Sequence, residues 1–121
     1  MDETPKLDPV MPERPEALHG VTPKVRTGCG WLYPTINFLE DGRPVEIFAK
    51  IGKAGGCASS QCESIGRLAS TMLRNGLSVD LVIDQLKGIS CSSQKDGQQR
   101  SCADAIAHAL AVWGVNGGKG S

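Results

Sequence analysis

Several things are missing from this chain, and each absence removes a class of answer. No apolar run approaches the ~18 residues that a membrane span requires, so a soluble protein with no membrane partner is expected. Charge of one sign is missing too. The 13 basic and 13 acidic side chains cancel, leaving no global field to draw in a phosphate backbone. Non-specific nucleic-acid binding is thereby disfavoured, and only a local patch stays open. The first residues, MDETPKLDPVMPERP, lack the basic start and apolar stretch of a secretory signal, which predicts a cytoplasmic location. No internal repeat and no C-x-x-C pair occurs.

What remains fits one domain. A chain of 121 residues can bury a single core and is too short for two ordinary domains. Residues 1–19 carry four prolines before Leu18, mixed charge and little apolar periodicity, and read as a flexible arm that adds nothing to the core. The folded domain is expected over residues 20–114, with a disordered tail, residues 115–121, that includes Asn116-Gly117-Gly118-Lys119-Gly120-Ser121.

Within the domain, Trp31–Phe38 and Val45–Ile51 alternate as strands do. Asp41-Gly42 supplies the turn that makes them a hairpin. Val25–Thr27 extends or precedes the first strand. Pro34 lacks a ladder donor, so an edge or outward-facing place is expected for it. Past Gly56 the period changes to that of a helix. A first helix is predicted from Ser60, capped by the Ser60–Glu63 spacing, with Ile65, Leu68, Ala69, Met72 and Leu73 as its apolar stripe and Asn75-Gly76 as its stop. A second runs from Ser78 to Gly88. A third opens at Ser101, carries Ile106, Ala109, Leu110 and Trp113, and ends at Gly114. Ser92–Arg100 reads as a polar loop. The fold class is α+β: a small antiparallel sheet packed against about three helices.

Five cysteines is an odd number, and with no export signal a disulfide framework is the weaker explanation. Cys29 lies between Gly28 and Gly30, which suits a metal-binding knuckle or a tight turn. Cys57 and Cys102 fall at helix N-termini, where unpaired N–H groups and the dipole stabilise a thiolate. Cys91 follows the second helix. These four are the candidate metal ligands. The plainer alternative is that they are small buried hydrophobes. Cys62 reads as core or as a spare ligand. Gly52–Gly56 could cradle phosphate at a helix start, or be a tight strand-to-helix turn, since Walker A order is absent. His19 and His108 join no catalytic constellation, and Glu46, Glu63 and Arg67 read as cap and surface charges.

The runs Val25-Arg26-Thr27-Gly28-Cys29-Gly30, Leu32-Tyr33, Thr35-Ile36-Asn37, Gly52–Cys57, Gln85–Ile89 and Ser101–Ile106 resemble the TSCPD domain. That domain occurs near the C-terminus of adenosylcobalamin-dependent (class II) ribonucleotide reductases and as small stand-alone proteins. The likeness spans about Gly20 to Trp113. The family commonly has valine where Pro34 stands and proline where Ser92 stands. The resemblance implies an accessory module in deoxyribonucleotide synthesis, with a ribonucleotide reductase or another protein as partner. The reductase's catalytic barrel, radical-forming cysteine and cobalamin site have no counterpart here, so the chain is not expected to reduce nucleotides alone.

A fainter likeness is to U-type iron-sulfur scaffold proteins, through Gly56-Cys57-Ala58-Ser59-Ser60 and through Cys102 with Asp104-Ala105-Ile106. It implies that Cys29, Cys57 and Cys102 correspond to three ligating cysteines, with Cys91 completing the set. Three functions follow as expectations: a non-catalytic module binding zinc, an iron-sulfur carrier or scaffold, or a thiol redox partner using Cys57 and Cys62.

Overall fold

The structure, a computed structural model, describes residues 8–52, 56–90 and 100–118, with Gly56, Cys57 and Asn116 described by backbone alone. The described elements run β1 (His19–Val21), β2 (Val25–Thr27), β3 (Gly30–Phe38), β4 (Pro44–Ile51), α1 (Gly56–Arg74), α2 (Val79–Leu86) and α3 (Cys102–Trp113), followed by a 3-10 turn at Asn116–Gly118. This is the α+β architecture expected. All strand pairs are antiparallel, with β4 on one side of β3 and β1 and β2 placed end to end on the other.

Alternation builds β3. Leu32, Pro34, Ile36 and Phe38 are buried, while Trp31, Tyr33, Thr35 and Asn37 take the opposite face, as a two-residue period requires. The buried set packs with Ile47, Cys62, Ala69, Leu73, Val82, Ile106 and Leu110 into one core. Each fully buried Leu or Ile there contributes roughly 1.5–3 kcal/mol. The hairpin turn closes through Leu39 N–H to Arg43 O at 2.9 Å, with Gly42 at φ 89°.

Pro34 corrects the expectation of an outward or edge position, because it is buried in the central strand opposite Ala49. Both the N–H and the C=O of Ile47 bond to Ser70 Oγ, at 2.9 and 3.0 Å, so Ile47 turns its polar groups away from β3. By alternation, the backbone N of Pro34 also turns away from β4. It meets the break between β1, which pairs as far as Ile36, and β2, which begins at Leu32. No ladder bond is lost there.

Helix α1 starts at Gly56, four residues before Ser60, so the Ser60–Glu63 pair lies inside the helix and is not its cap. Glu63 instead pairs with Arg67 at 3.2 Å on the exposed surface. Leu68 is 69% exposed and leaves the predicted stripe, and Ser70 is buried in its place. Ser70 and Gly66 close the open edge of β4, since a Cβ on Gly66 would stand 3.0 Å from Ile47 O. The helix ends in a Schellman motif: Leu77 N–H reaches Met72 O, Gly76 N–H reaches Leu73 O, and Gly76 sits at φ 86°.

Two local signals hold as read. Ser78 caps α2 by accepting from Leu81 N–H, and Ser101 caps α3 by accepting from Asp104 N–H. Trp113 is at the rim, 36% exposed.

The folded region is wider than residues 20–114. Met11 is buried, Val10 N–H bonds Arg74 O at 2.9 Å, and Asp8 N–H bonds Asn75 O at 3.1 Å. The N-terminal arm therefore contributes to the core from Asp8 onward, contrary to the reading of residues 1–19. His19 opens β1 instead of closing the arm. At the other end, Gly118 lies against Val21 and Phe38, so the tail packs as far as Gly118. Residues 1–7 and 119–121 lie outside the described residues. No helix among the described residues is long and apolar enough to cross a membrane.

Candidate metal centre

The turn between β2 and β3 is held from three sides. Cys29 N–H donates to Thr27 Oγ1 at 3.1 Å, and that hydroxyl donates to Gly30 O at 2.7 Å. Gly28 N–H donates to Arg100 O at 3.1 Å, tying the turn to the segment that leads into α3. Gly30 adopts φ 127°, and a Cβ there would stand 3.3 Å from Gly52 O at the end of β4. The glycine beside Cys29 is thus required by backbone conformation, which side chains rarely adopt. The whole turn is pinned against the start of α3.

The N-terminus of α3 is equally fixed. Ser101 Oγ caps the helix and also donates to Ile89 O. Asp104 accepts from Gly88 N–H at 2.8 Å and pairs with Arg100 Nη1 at 2.9 Å. Cys102, the first residue of α3, is thereby set against the β2–β3 turn. Its thiol lies near enough to those of Cys29 and Cys62 for both to shift its protonation.

Two of the four expected ligands, Cys29 and Cys102, therefore come together. Cys57 is the second residue of α1 by backbone, and its side chain is not described. Cys91, Ser92 and the following loop lie outside the described residues, as do residues 53–55 of the Gly-rich segment considered for phosphate. Among the described residues no group of three or more His, Cys, Asp or Glu side chains is arranged to hold a metal ion. His108 is six residues along α3 from Cys102, about 9 Å of helix rise.

Cys62 was the residue sequence reasoning undervalued. It is fully buried in the core, and Cys102 packs against the same core cluster. A regular helix would separate the Cα atoms of Cys57 and Cys62 by about 8.7 Å, beyond the ~7 Å a disulfide spans. Because α1 is helical from Gly56, a Cys57–Cys62 bridge does not fit its backbone, and the cysteine that packs on the core holding Cys62 is Cys102. Local spacing could not reveal a contact made between two helices.

The thiols share protons unevenly. The hydrogen bond from Cys102 holds the Cys62 thiol below the usual range, against burial and the nearby Cys29, which push it up. Cys102 is pushed far above that range, first by its hydrogen bond to Cys62, then by burial and the Cys62 charge. Bonds from Cys29 and the backbone act the other way. Neighbouring thiolates repel, so the cluster cannot all ionise alone. A divalent cation reverses that balance by binding the deprotonated forms. Soft sulfur donors suit zinc or an iron-sulfur cluster.

No curated protein and no solved structure matches the chain. The family model of the TSCPD domain matches residues 3–112, spanning both the docked arm and every described cysteine. With the β2–β3 turn, α1 and all of α3 but Trp113 inside that match, the chain belongs to the TSCPD domain family.

Proposed function

We propose that this chain is a non-catalytic module that binds one zinc ion through Cys29, Cys57, Cys91 and Cys102, and serves as an accessory domain to a ribonucleotide reductase. The observation that carries this reading is the bond from Gly28 N–H to Arg100 O at 3.1 Å, which ties the turn that holds Cys29 to the capped helix start that holds Cys102. Cys57 in the first turn of α1 would add a third thiolate from a third element. Cys62 then acts behind Cys102 as a hydrogen-bonding neighbour of a ligand, a role that tunes sulfur basicity. Zinc so placed would cross-link the turn and two helices and leave no open position for chemistry. Free thiols of this kind fit a reducing, cytoplasmic setting.

Metal analysis of untagged protein tests the reading. One zinc per chain is expected, lost in Cys29→Ser and Cys102→Ser and retained in Cys62→Ser. Protein free of metal, with Cys29, Cys57, Cys91 and Cys102 titrating rapidly in the native state, would sink the proposal. Iron and visible charge-transfer absorption after anaerobic reconstitution would place a cluster there instead.

One observation favours a second reading. The packing of Cys102 against the core that holds Cys62 suits a dithiol that reduces a disulfide substrate: the two thiols give up two electrons and two protons, the new S–S bond forms, and the substrate leaves as two thiols. Cys62 is sealed in the core and Cys102 is partly exposed, so Cys102 would have to lose its proton, which Cys62 makes harder, before attacking. Loss of disulfide reduction in Cys62→Ser would support it.

A further inference from the structure

The outward face of the sheet carries a pattern that the cysteines do not use. Of the five aromatic side chains in the whole sequence, three stand on that face: Trp31 at 39% exposure, Tyr33 at 39% and Phe48 at 49%. A protein so poor in aromatics would ordinarily place them in its core. Trp31 and Tyr33 are two apart on β3, so their rings are set about 6.6 Å apart along the strand. Phe48 is paired with Thr35 on β4, diagonal to Tyr33.

Cations surround these rings. Arg26 is the cross-strand partner of Trp31, and Lys50 is the cross-strand partner of Tyr33. Lys24 Nζ lies 4.1 Å from the Trp31 ring centre and the Arg26 guanidinium 5.2 Å. All three cations are exposed. Among the described residues, none of them is within ion-pair distance of a carboxylate. Among the described strand residues the one acidic side chain on this face, Glu46, lies at the far end, where Arg14 of the arm already neutralises it; Glu63 of α1, beside Phe48 and Lys50, is paired with Arg67. A net charge of zero thus conceals a positive, aromatic end of the sheet.

We propose that this face binds single-stranded nucleic acid, with bases stacking on Trp31, Tyr33 and Phe48 and phosphates meeting Lys24, Arg26 and Lys50. The ring spacing is about twice the ~3.4 Å rise of a stacked strand, which suits bases splayed onto successive rings. Exposed cation–π contacts are weak, so a base can displace Lys24 from Trp31 while its ammonium stays near the phosphate. Charge complementarity and the stacking surface together distinguish this occupant from an apolar protein partner. The proposal does not depend on metal binding.

Fluorescence anisotropy of labelled dT12 and rU12 with the full chain at low salt tests it. Saturable binding of either strand is expected, the two arms identifying the preferred sugar. Affinity should fall at least tenfold in Trp31→Ala/Tyr33→Ala and in Lys24→Glu/Arg26→Glu, the latter also flattening the salt dependence. Trp31→Phe/Tyr33→Phe keeps both rings and should bind within about threefold of the parent, so it holds the test open if the alanine variant misfolds. Lys87→Glu, beyond α2, should change nothing. Absence of saturable binding, affinity indifferent to removal of the rings, or equal binding of inorganic polyphosphate would each overturn the proposal. Self-association that buries Trp31 and excludes both strands would overturn it as well.

Discussion

Glu46 has only 1% of its surface exposed, although its type and position read as a surface charge. Burial pushes its carboxyl up. Hydrogen bonds from Arg14 and Asn37 and the charges of Arg14 and Arg74 outweigh that and hold it below the usual carboxylate value. A group whose folded value is depressed adds stability above its unfolded value, about 4.3, and loses it as pH falls through the folded value. Glu46→Gln should therefore be less stable than the parent in urea at pH 7, with the gap closing in acid below about pH 4. A gap independent of pH would count against the pairing. Gly30 offers a second residue-scale test. Gly30→Ala forces a side chain to φ 127°, costing about 1–3 kcal/mol, and should also weaken metal retention by displacing Cys29.

Elements depend on a few contacts at their margins. Ser70 bonds both polar groups of Ile47 and so closes the edge of β4 from α1. Ser70→Ala leaves two backbone groups unpaired and should cost about 1–3 kcal/mol for each, read from the shift in the denaturation midpoint. Ser101→Ala removes the cap of α3 and the partner of Ile89 O. About 1 kcal/mol is expected from the cap alone, together with faster labelling of Cys102 by a thiol reagent. Unchanged labelling would mean that the cap does not position that thiol. These caps were legible because Ser78 and Ser101 act on N–H groups three residues away. The start of α1 was not, because its first turn follows a Gly-rich segment with no capping side chain to mark it.

Across the whole molecule, the hairpin, β2 and three helices could be read from periodicity, and the places of Cys29 at a glycine turn and of Cys57 and Cys102 in helix first turns from local sequence. What escaped was tertiary. Met11 is buried only because the arm crosses the end of α1, and Cys62 meets Cys102 only because α1 and α3 share the core. Likewise, Lys24, Arg26 and Lys50 form a patch only once three segments are side by side. Formal charge averages such a patch away.

The central claim is that these thiols form one metal site that includes Cys29 and Cys102. Cobalt(II) titration of the metal-free chain reads it directly, since thiolate coordination produces charge-transfer and tetrahedral ligand-field absorption. Saturation at one cobalt per chain is expected, with displacement by zinc, loss of the spectrum in Cys29→Ser and Cys102→Ser, and its survival in Cys62→Ser. A chain that develops no such spectrum, or one that keeps it without Cys29 and Cys102, would contradict the account.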